Sequence, residues 1–396
     1  MNILWVSPFL PTLDAPHAGG RALARWIRWT AERHAVTLLC RVEPQQRAAA
    51  EALRPGLAGL DVQEFRRPVG PLALARIAAS YVRLGRAASR RLAGRGFDLL
   101  HVDYLETGLG VDRALPVPKL AIAIDELARP ARHRLRLARG ARARTGAWLY
   151  WRAIERVQRR ICRTFDRILT LSEHDRRTLV AADPSLSVGV LPFPIGIEPP
   201  AGVARESGAL LFVGAMNRDA NIDAVRWFHD EMLPRVRMAV PSVRLTVVGA
   251  DPPPAIRALA AEPGVAVTGF VDALEPYYAR ASVFVAPLRI AGGIAGKTLD
   301  ALAAGCPVVT TTLGNEAFGA TPGEHLLTAD TPSEFAAAVV RLLGDADLCR
   351  RLGEGGRAFA RARYDPAVSA AALEQEHARL AAAGPHHTMR RLTTLQ

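Results

Sequence analysis

The stretch RIAGGIAGKTLDALAAGCPVVTT, residues 289–311, contains Lys297, one of only two lysines in a chain with 51 Lys+Arg residues; the other is Lys119. Gly292, Gly293 and Gly296 stand just ahead of it, and residues without a Cβ let backbone N–H groups close around an anion. The spacing predicts a helix that starts near Ala295, whose positive dipole end adds to that attraction. Lys297 supplies a point charge suited to a diphosphate. Asp300 follows one turn later on the same face, where a carboxylate can accept two hydrogen bonds from a vicinal diol such as the ribose hydroxyls. Phosphate and pentose recognition one turn apart match a nucleoside diphosphate. The plain alternative is a capped helix start with a solvated lysine, and for an isolated Gly-Gly-x-x-Gly-Lys it prevails. A Walker A loop is excluded, because Gly-x-x-x-x-Gly-Lys-Ser/Thr needs a glycine where Ala291 stands.

Other strand-end loops offer related chemistry. ALLFVGA (209–215) ends around Gly214, followed by Met216, Asn217 and Arg218. Gly214 permits close backbone approach to a ligand, and Arg218 is a candidate phosphate partner. VVGADPPP and VTGFVD close further apolar runs at Gly249 and Gly269. Three such glycines open one edge of a sheet, so backbone groups at Phe270 and Val271 become candidates for reading a nucleobase; Phe270 alone reads as core. In the first half, PHAGGRA presents His17, Gly19, Gly20 and Arg21 after the first strand, as a glycine-rich loop or an ordinary strand-to-helix turn. LLHVDYLE brings His101 and Asp103 to another strand end, where a lone His or Asp more often has a structural role, and Asp125 and Glu126 follow KLAIAI. In LTLSEHD, Ser172 and Glu173 read as a helix cap ahead of a second reading, residues that line a cleft.

The elements that position these residues alternate. Apolar runs at 2–7, 35–40, 61–65, 97–103, 119–125 and 167–172 are separated by helical segments, which argues for a parallel α/β sheet. The Pro/Gly-rich segment 191–208 reads as a linker. The rhythm then restarts with strands at 209–215, 243–251, 265–271, 281–288, 307–311 and 325–329, and helices at about 220–239, 332–344, 345–363 and 365–383. The expected fold class is α/β, two Rossmann-like doubly wound parallel-sheet domains facing across a cleft. Residues 1–190 form the first domain and 209–364 the second; 365–383 is a closing helix and 384–396 a frayed tail. A length of 396 residues suits two domains. Ligands of such sheets bind beyond the carboxyl ends of the strands.

The run from LLFVGA through the 289–311 loop to PVVTT resembles the donor-binding domain of a retaining GT-B glycosyltransferase of the family-4 (group 1) type, which builds exopolysaccharides and lipid-linked glycans. The likeness is dense over 209–330 and loose before it. In that family a Glu-x7-Glu pattern sits at this loop; the second Glu binds the donor ribose, and Asp300 takes its place. The first Glu contacts the transferred sugar, and Gly292 takes its place. The resemblance implies a donor site formed by Gly214, Asn217, Arg218, Gly249, Gly269, Phe270, Val271, Arg289, Gly292, Gly293, Ile294, Lys297 and Asp300. It implies His17, Gly19, Gly20, Arg21, His101 and Asp103 on the acceptor or phosphate side, and Asp125, Glu126 and Lys297 as the catalytic groups. A carboxylate facing the sugar would stabilise an oxocarbenium-like centre and Lys297 the leaving diphosphate. No metal is expected, since no Asp-x-Asp follows a strand suitably, and no cofactor beyond a UDP- or GDP-sugar acting as substrate.

Net charge is +13, carried almost wholly by arginine. Twelve arginines lie between Arg129 and Arg163, with Trp148, Tyr150 and Trp151 among them. Such a run reads either as a solvated helix face or as a patch for anionic phospholipid; nucleic acid ranks below both, as no recognition motif accompanies it. Four scattered cysteines suit free thiols in a reducing compartment. The opening residues lack the pattern of a signal peptide, so a cytoplasmic chain, peripheral at the inner face of a membrane, is the expectation. Partners are then a nucleotide sugar and a glycan or lipid-diphosphate acceptor. A nucleotide-sugar epimerase of the same architecture, or a catalytically degenerate binding partner, remain as rivals.

Overall fold

The computed structural model describes residues 1–15, 18–66, 68–70, 72–94, 96–198, 202–290 and 293–384. Short apolar runs too buried to alternate form two sheets in which every pairing is parallel. The first sheet has β1 (Asn2–Ser7), β2 (Ala35–Val42), β3 (Gly59–Glu64), β4 (Leu99–Asp103), β5 (Lys119–Ala123), β6 (Arg167–Thr170) and β7 (Val188–Val190), ordered β3-β2-β1-β4-β5-β6-β7. The second has β8 (Ala209–Val213), β9 (Arg244–Val248), β10 (Val265–Val267), β11 (Val283–Ala286), β12 (Val308–Thr310) and β13 (Leu327–Thr328), ordered β10-β9-β8-β11-β12-β13. All five residues of β4 and of β5 are buried, as expected of strands covered on both faces. Leu4, Val6, Leu100, Val102 and Ala121 pack with Leu84, Ile161 and Phe165 in the first core, each large side chain contributing about 1.5–3 kcal/mol by burial.

Every strand read from the sequence exists, most of them shorter than expected. β7 was not expected; three residues of Val-Gly-Val carry too little pattern to separate from the linker. The segment read as one helix over 220–239 is Asp219–Trp227, a π-turn at Phe228–Met232 and Leu233–Ala239. Pro234 explains the interruption, since it lacks an N–H and its ring crowds the carbonyl of residue 230. Elsewhere local chemistry sets helix starts. Thr331 and Glu334 form a capping box ahead of Pro332–Gly344, and Ser172 accepts the Asp175 N–H at 3.1 Å.

The chain divides into two units, and the division differs from the linear one. The first holds Met1–Leu13, Leu23–Leu191 and the chain from Ala370; the second holds Asp14–Ala22 and Pro192–Ser369. The Pro366–Ala383 helix therefore belongs to the second unit for its first four residues and to the first unit thereafter. No helix among the described residues is long and apolar enough to cross a membrane.

Candidate functional site

In the second unit the strand order reverses between β8 and β11, and the carboxyl ends flanking such a reversal form a crevice in open parallel sheets. β8 runs out into Gly214. A Cβ at that position would stand 2.7 Å from Asn221 Nδ2 and 3.0 Å from Lys297 Nζ, so glycine is what lets both side chains reach the strand end. Asn221, buried on the Asp219–Trp227 helix, donates from Nδ2 to the Ala215 carbonyl at 2.7 Å. Its Oδ1 accepts from Lys297 Nζ. The ammonium also lies 4.7 Å from the centre of the Phe212 ring.

Lys297 has no carboxylate partner among the described residues. Burial, and next the nearby Arg218 guanidinium, push its pKa down to about 7. An ammonium held by an amide and a ring, with no anion, is a costly arrangement that an anionic ligand would relieve. The helix bearing it, Gly296–Ala303, starts at Ala295, which offers no side-chain acceptor to the first-turn N–H groups, and has no acid in that turn. This end keeps its positive dipole. Gly296 is packed: a Cβ would meet the Phe193 ring at 3.0 Å and the Ala18 Cβ at 3.2 Å. The Thr298 hydroxyl beside Lys297 is buried with no hydrogen-bond partner.

Other expected donor residues have more structural employment. Asp300 is buried, and its Oδ1 accepts the Gly196 N–H at 2.9 Å. Part of the acceptor capacity assigned to a ribose thus holds the 192–198 segment, because the helix start packs on that segment. Arg289 is drawn away from a phosphate role by a two-point bond to Asp223, 3.1 and 2.6 Å, and by stacking 4.5 Å from the Trp227 ring centre. Asn217 donates to Asp251 at 3.2 Å. Arg218 is exposed, and its guanidinium is the charge that acts on Lys297. Gly249 lets backbones meet: a Cβ would fall 1.8 Å from the Gly214 carbonyl oxygen. Gly269 accepts the Gly249 N–H at 3.0 Å. Phe270 is 59% exposed, against the core reading, and Val271 is half-buried beside it. Gly293 and Ile294 are half-buried ahead of Lys297; Gly292 and His17 lie outside the described residues.

The expectations for the first half change more. Gly19, Gly20 and Arg21 stand in the first turn of the Ala18–Ala31 helix rather than in a loop, and Arg21 donates to the Ala15 carbonyl at 2.9 Å. His101 and Asp103 are fully buried, which withdraws them from acceptor contact. The His101 ring stacks on Trp5 at 3.6 Å and bonds His377 Nε2 at 2.9 Å, while Asp103 accepts from Trp5 Nε1 at 2.7 Å. Burial pushes the Asp103 pKa up to about 8. Their inward direction follows from β4 being covered on both faces. Glu126 is buried and pairs with Arg132 and Arg129, so the first part of the arginine run occupies it. Asp125 remains exposed past the end of β5. Asn221 was missed in the sequence. Its signal is a polar residue at an apolar-stripe position, with Ala224, Val225 and Phe228 at i+3, i+4 and i+7.

Residues 207–345 match the family model described as Glycosyl transferases group 1. An uncharacterized 44.6 kDa protein in the cps region of Klebsiella pneumoniae is 24% identical over 164 residues, covering 39% of this chain. The chain spans only 42% of that curated relative's length. A sucrose-phosphate synthase from Thermosynechococcus elongatus matches with a TM-score of 0.75 at 19% identity, over 97% of this chain and 100% of that one. Anabaena HepE in complex with UDP matches at 0.65 and 14%, over 96% and 100%. A TarM mutant of S. aureus, in complex with fondaparinux, α-GlcNAc-glycerol and UDP, matches at 0.69 and 9%, over 96% and 100%. The two parallel sheets are those of the GT-B fold, and residues 207–345 are similar to the group 1 glycosyltransferases.

Proposed function

We propose that the chain transfers a sugar from a nucleotide-sugar donor, bound by the second unit, to a glycan or lipid-linked acceptor in polysaccharide synthesis. The observation that carries this reading is Lys297: an ammonium with no counter-ion among the described residues, at a glycine-opened strand end, on a helix start without a side-chain cap. In the transfer, that charge and the first-turn N–H groups stabilise the diphosphate as the glycosidic C–O bond breaks. No metal or further cofactor is needed for that role. HepE is solved with UDP and with UDP-glucose, which supports a uridine donor, and the cps-region relative supports a polysaccharide context. Retention of configuration rests on the family resemblance.

An anionic membrane surface is part of this proposal. On the Ala141–Cys162 helix, Trp148, Leu149 and Tyr150 are exposed, with Arg142, Arg144, Arg156 and Arg160 exposed on the same helix. Others in the run are already paired: Arg152 and Arg159 with Glu155, and Arg163 with Asp183. The docking surface is therefore the smaller exposed set, suited to headgroup depth.

The deciding experiment is a thermal-shift panel of UDP, GDP, ADP and CDP on the full chain. At least one diphosphate is expected to raise Tm, and Lys297→Ala to remove most of that rise while an exposed Arg→Ala control keeps it. No stabilisation by any diphosphate, or equal loss in the control, would sink the reading.

A further inference from the structure

Among the described residues, the one hydrogen bond of the Lys297 ammonium goes to Asn221 Oδ1. The two residues come from different elements of the second unit, the Gly296–Ala303 and Asp219–Trp227 helices. The Asn221 amide is oriented from both sides. Its Nδ2 donates to the Ala215 carbonyl at 2.7 Å, and its Oδ1 faces the ammonium. Turned over, the amide would set N–H against ammonium and oxygen against oxygen, so the network admits one arrangement. Gly214 leaves room for it: a Cβ there would stand 2.7 Å from Asn221 Nδ2 and 2.8 Å from Asn221 Cγ.

A neutral amide at this place is informative, because acids stand close by in the chain. Asp219 and Asp223 lie two residues to either side of Asn221 on one helix, a spacing that turns them to other faces. Asp223 is further held by Arg289. On the lysine's own helix, Asp300 accepts the Gly196 N–H, and the Tyr278 hydroxyl donates to the Lys297 carbonyl at 3.0 Å. The charge that acts on Lys297 is Arg218, of the same sign. A carboxylate at 221 would pair with the ammonium and leave less for an anionic ligand to neutralise. An apolar residue would leave the ammonium without an acceptor and favour its deprotonation. An amide does neither: it aims the cation and keeps the charge.

We propose that Asn221 is a positioning residue for diphosphate binding, which holds the Lys297 ammonium at the end of β8 without neutralising it. The proposal rests on the donor reading above and adds to it a residue that acts through Lys297 rather than on the ligand.

A chain with two lysines makes the test direct. Lysine-selective 13C labelling of the full chain gives two Cε signals by NMR, and Lys297→Arg identifies which belongs to Lys297. Lys119, buried with its Nζ donating to the Leu115 and Val117 carbonyls at 2.6 and 3.0 Å, reports whether each variant is folded. The Lys297 signal is titrated with pH in wild type, Asn221→Asp and Asn221→Ala without ligand. Asn221→Asp is expected to raise the midpoint by at least about one pH unit, and Asn221→Ala to lower it by about half a unit. At pH 6.5, Asn221→Asp is expected to weaken UDP binding at least about tenfold. Unmoved midpoints, shifts of the same sign in both variants, or undiminished UDP binding by Asn221→Asp overturn the proposal. If one variant disturbs the Lys119 signal, the other decides alone. A wild-type Lys297 signal that ignores saturating UDP, with both variant shifts present, sinks the donor reading and leaves the Asn221–Lys297 pair standing.

Discussion

Lys297 gives the proposed donor site a group that titrates near neutral pH. With its pKa near 7, the free site is cationic below that value and loses its charge above it. A bound diphosphate favours the charged form and raises the pKa, so binding takes up a proton at higher pH. Affinity for UDP is expected to be flat below pH 7 and to fall by up to about tenfold per pH unit above it, until the bound-state pKa is reached. Calorimetry at pH 8 in two buffers of different ionisation enthalpy would register the uptake. Identical apparent heats would show that Lys297 is not the group that meets the phosphate. The residue scale is also where the sequence was most legible: Lys297 is conspicuous because it is one of two lysines. Asp300 was visible too, but its bond to the Gly196 N–H was not, because 104 residues separate donor and acceptor.

The elements decide how close the groups of this site come. Two glycines at neighbouring strand ends act differently, and substitution separates them. Gly214→Ala puts a methyl against two side-chain tips that can move, so the expected result is a UDP affinity loss of about tenfold with a stability loss near 1 kcal/mol. Gly249→Ala drives a methyl into the Gly214 carbonyl, backbone that cannot retreat without breaking the ladder. That change is expected to cost roughly 3 kcal/mol or more of stability. Denaturant melts and UDP titrations of both variants check the pair, and equal stability losses would refute the distinction. The sequence announced both glycines as strand ends without distinguishing the one that clears space for side chains from the one that admits a backbone. Likewise, the first-half Gly pair looked like a loop because glycine is a poor helix former, yet tertiary packing places it in a first helical turn.

Across the whole molecule, the Pro366–Ala383 helix returns to the first unit and buries His377 against His101, with Asp103, His34 and Glu374 as the other ionisable groups nearby. Burial, then the neighbouring His34, depress His377 to about 3, and burial and His377 depress His101. Between pH 6.5 and 3 the unfolded chain binds protons that the folded chain refuses, so stability falls as pH drops through that window. Asp103 acts in the opposite sense, because the folded chain keeps its proton up to about 8. His377→Gln is expected to flatten the acid slope by roughly 1 kcal/mol per pH unit. Urea melts from pH 7 to 4 read this, and an unchanged slope would count against the pair. The exposed arginines act at the same scale. Arg142→Glu with Arg144→Glu is expected to weaken sedimentation with anionic phosphatidylglycerol vesicles by at least about fivefold per site and to leave neutral vesicles unbound. Undiminished binding would return that face to solvent.

By itself the sequence determined two parallel α/β sheets, their order along the chain, and the lysine-bearing helix start, because burial periodicity and glycine placement are local properties. Only the tertiary structure decided which polar residues remain available to a ligand. Asn221 was drawn against Lys297; His101, Asp103 and Glu126 were taken into buried networks, and Arg289 was engaged by Asp223. The physical reason is that a polar group's availability depends on the partners that folding brings within about 3 Å of it, and those partners come from distant parts of the chain.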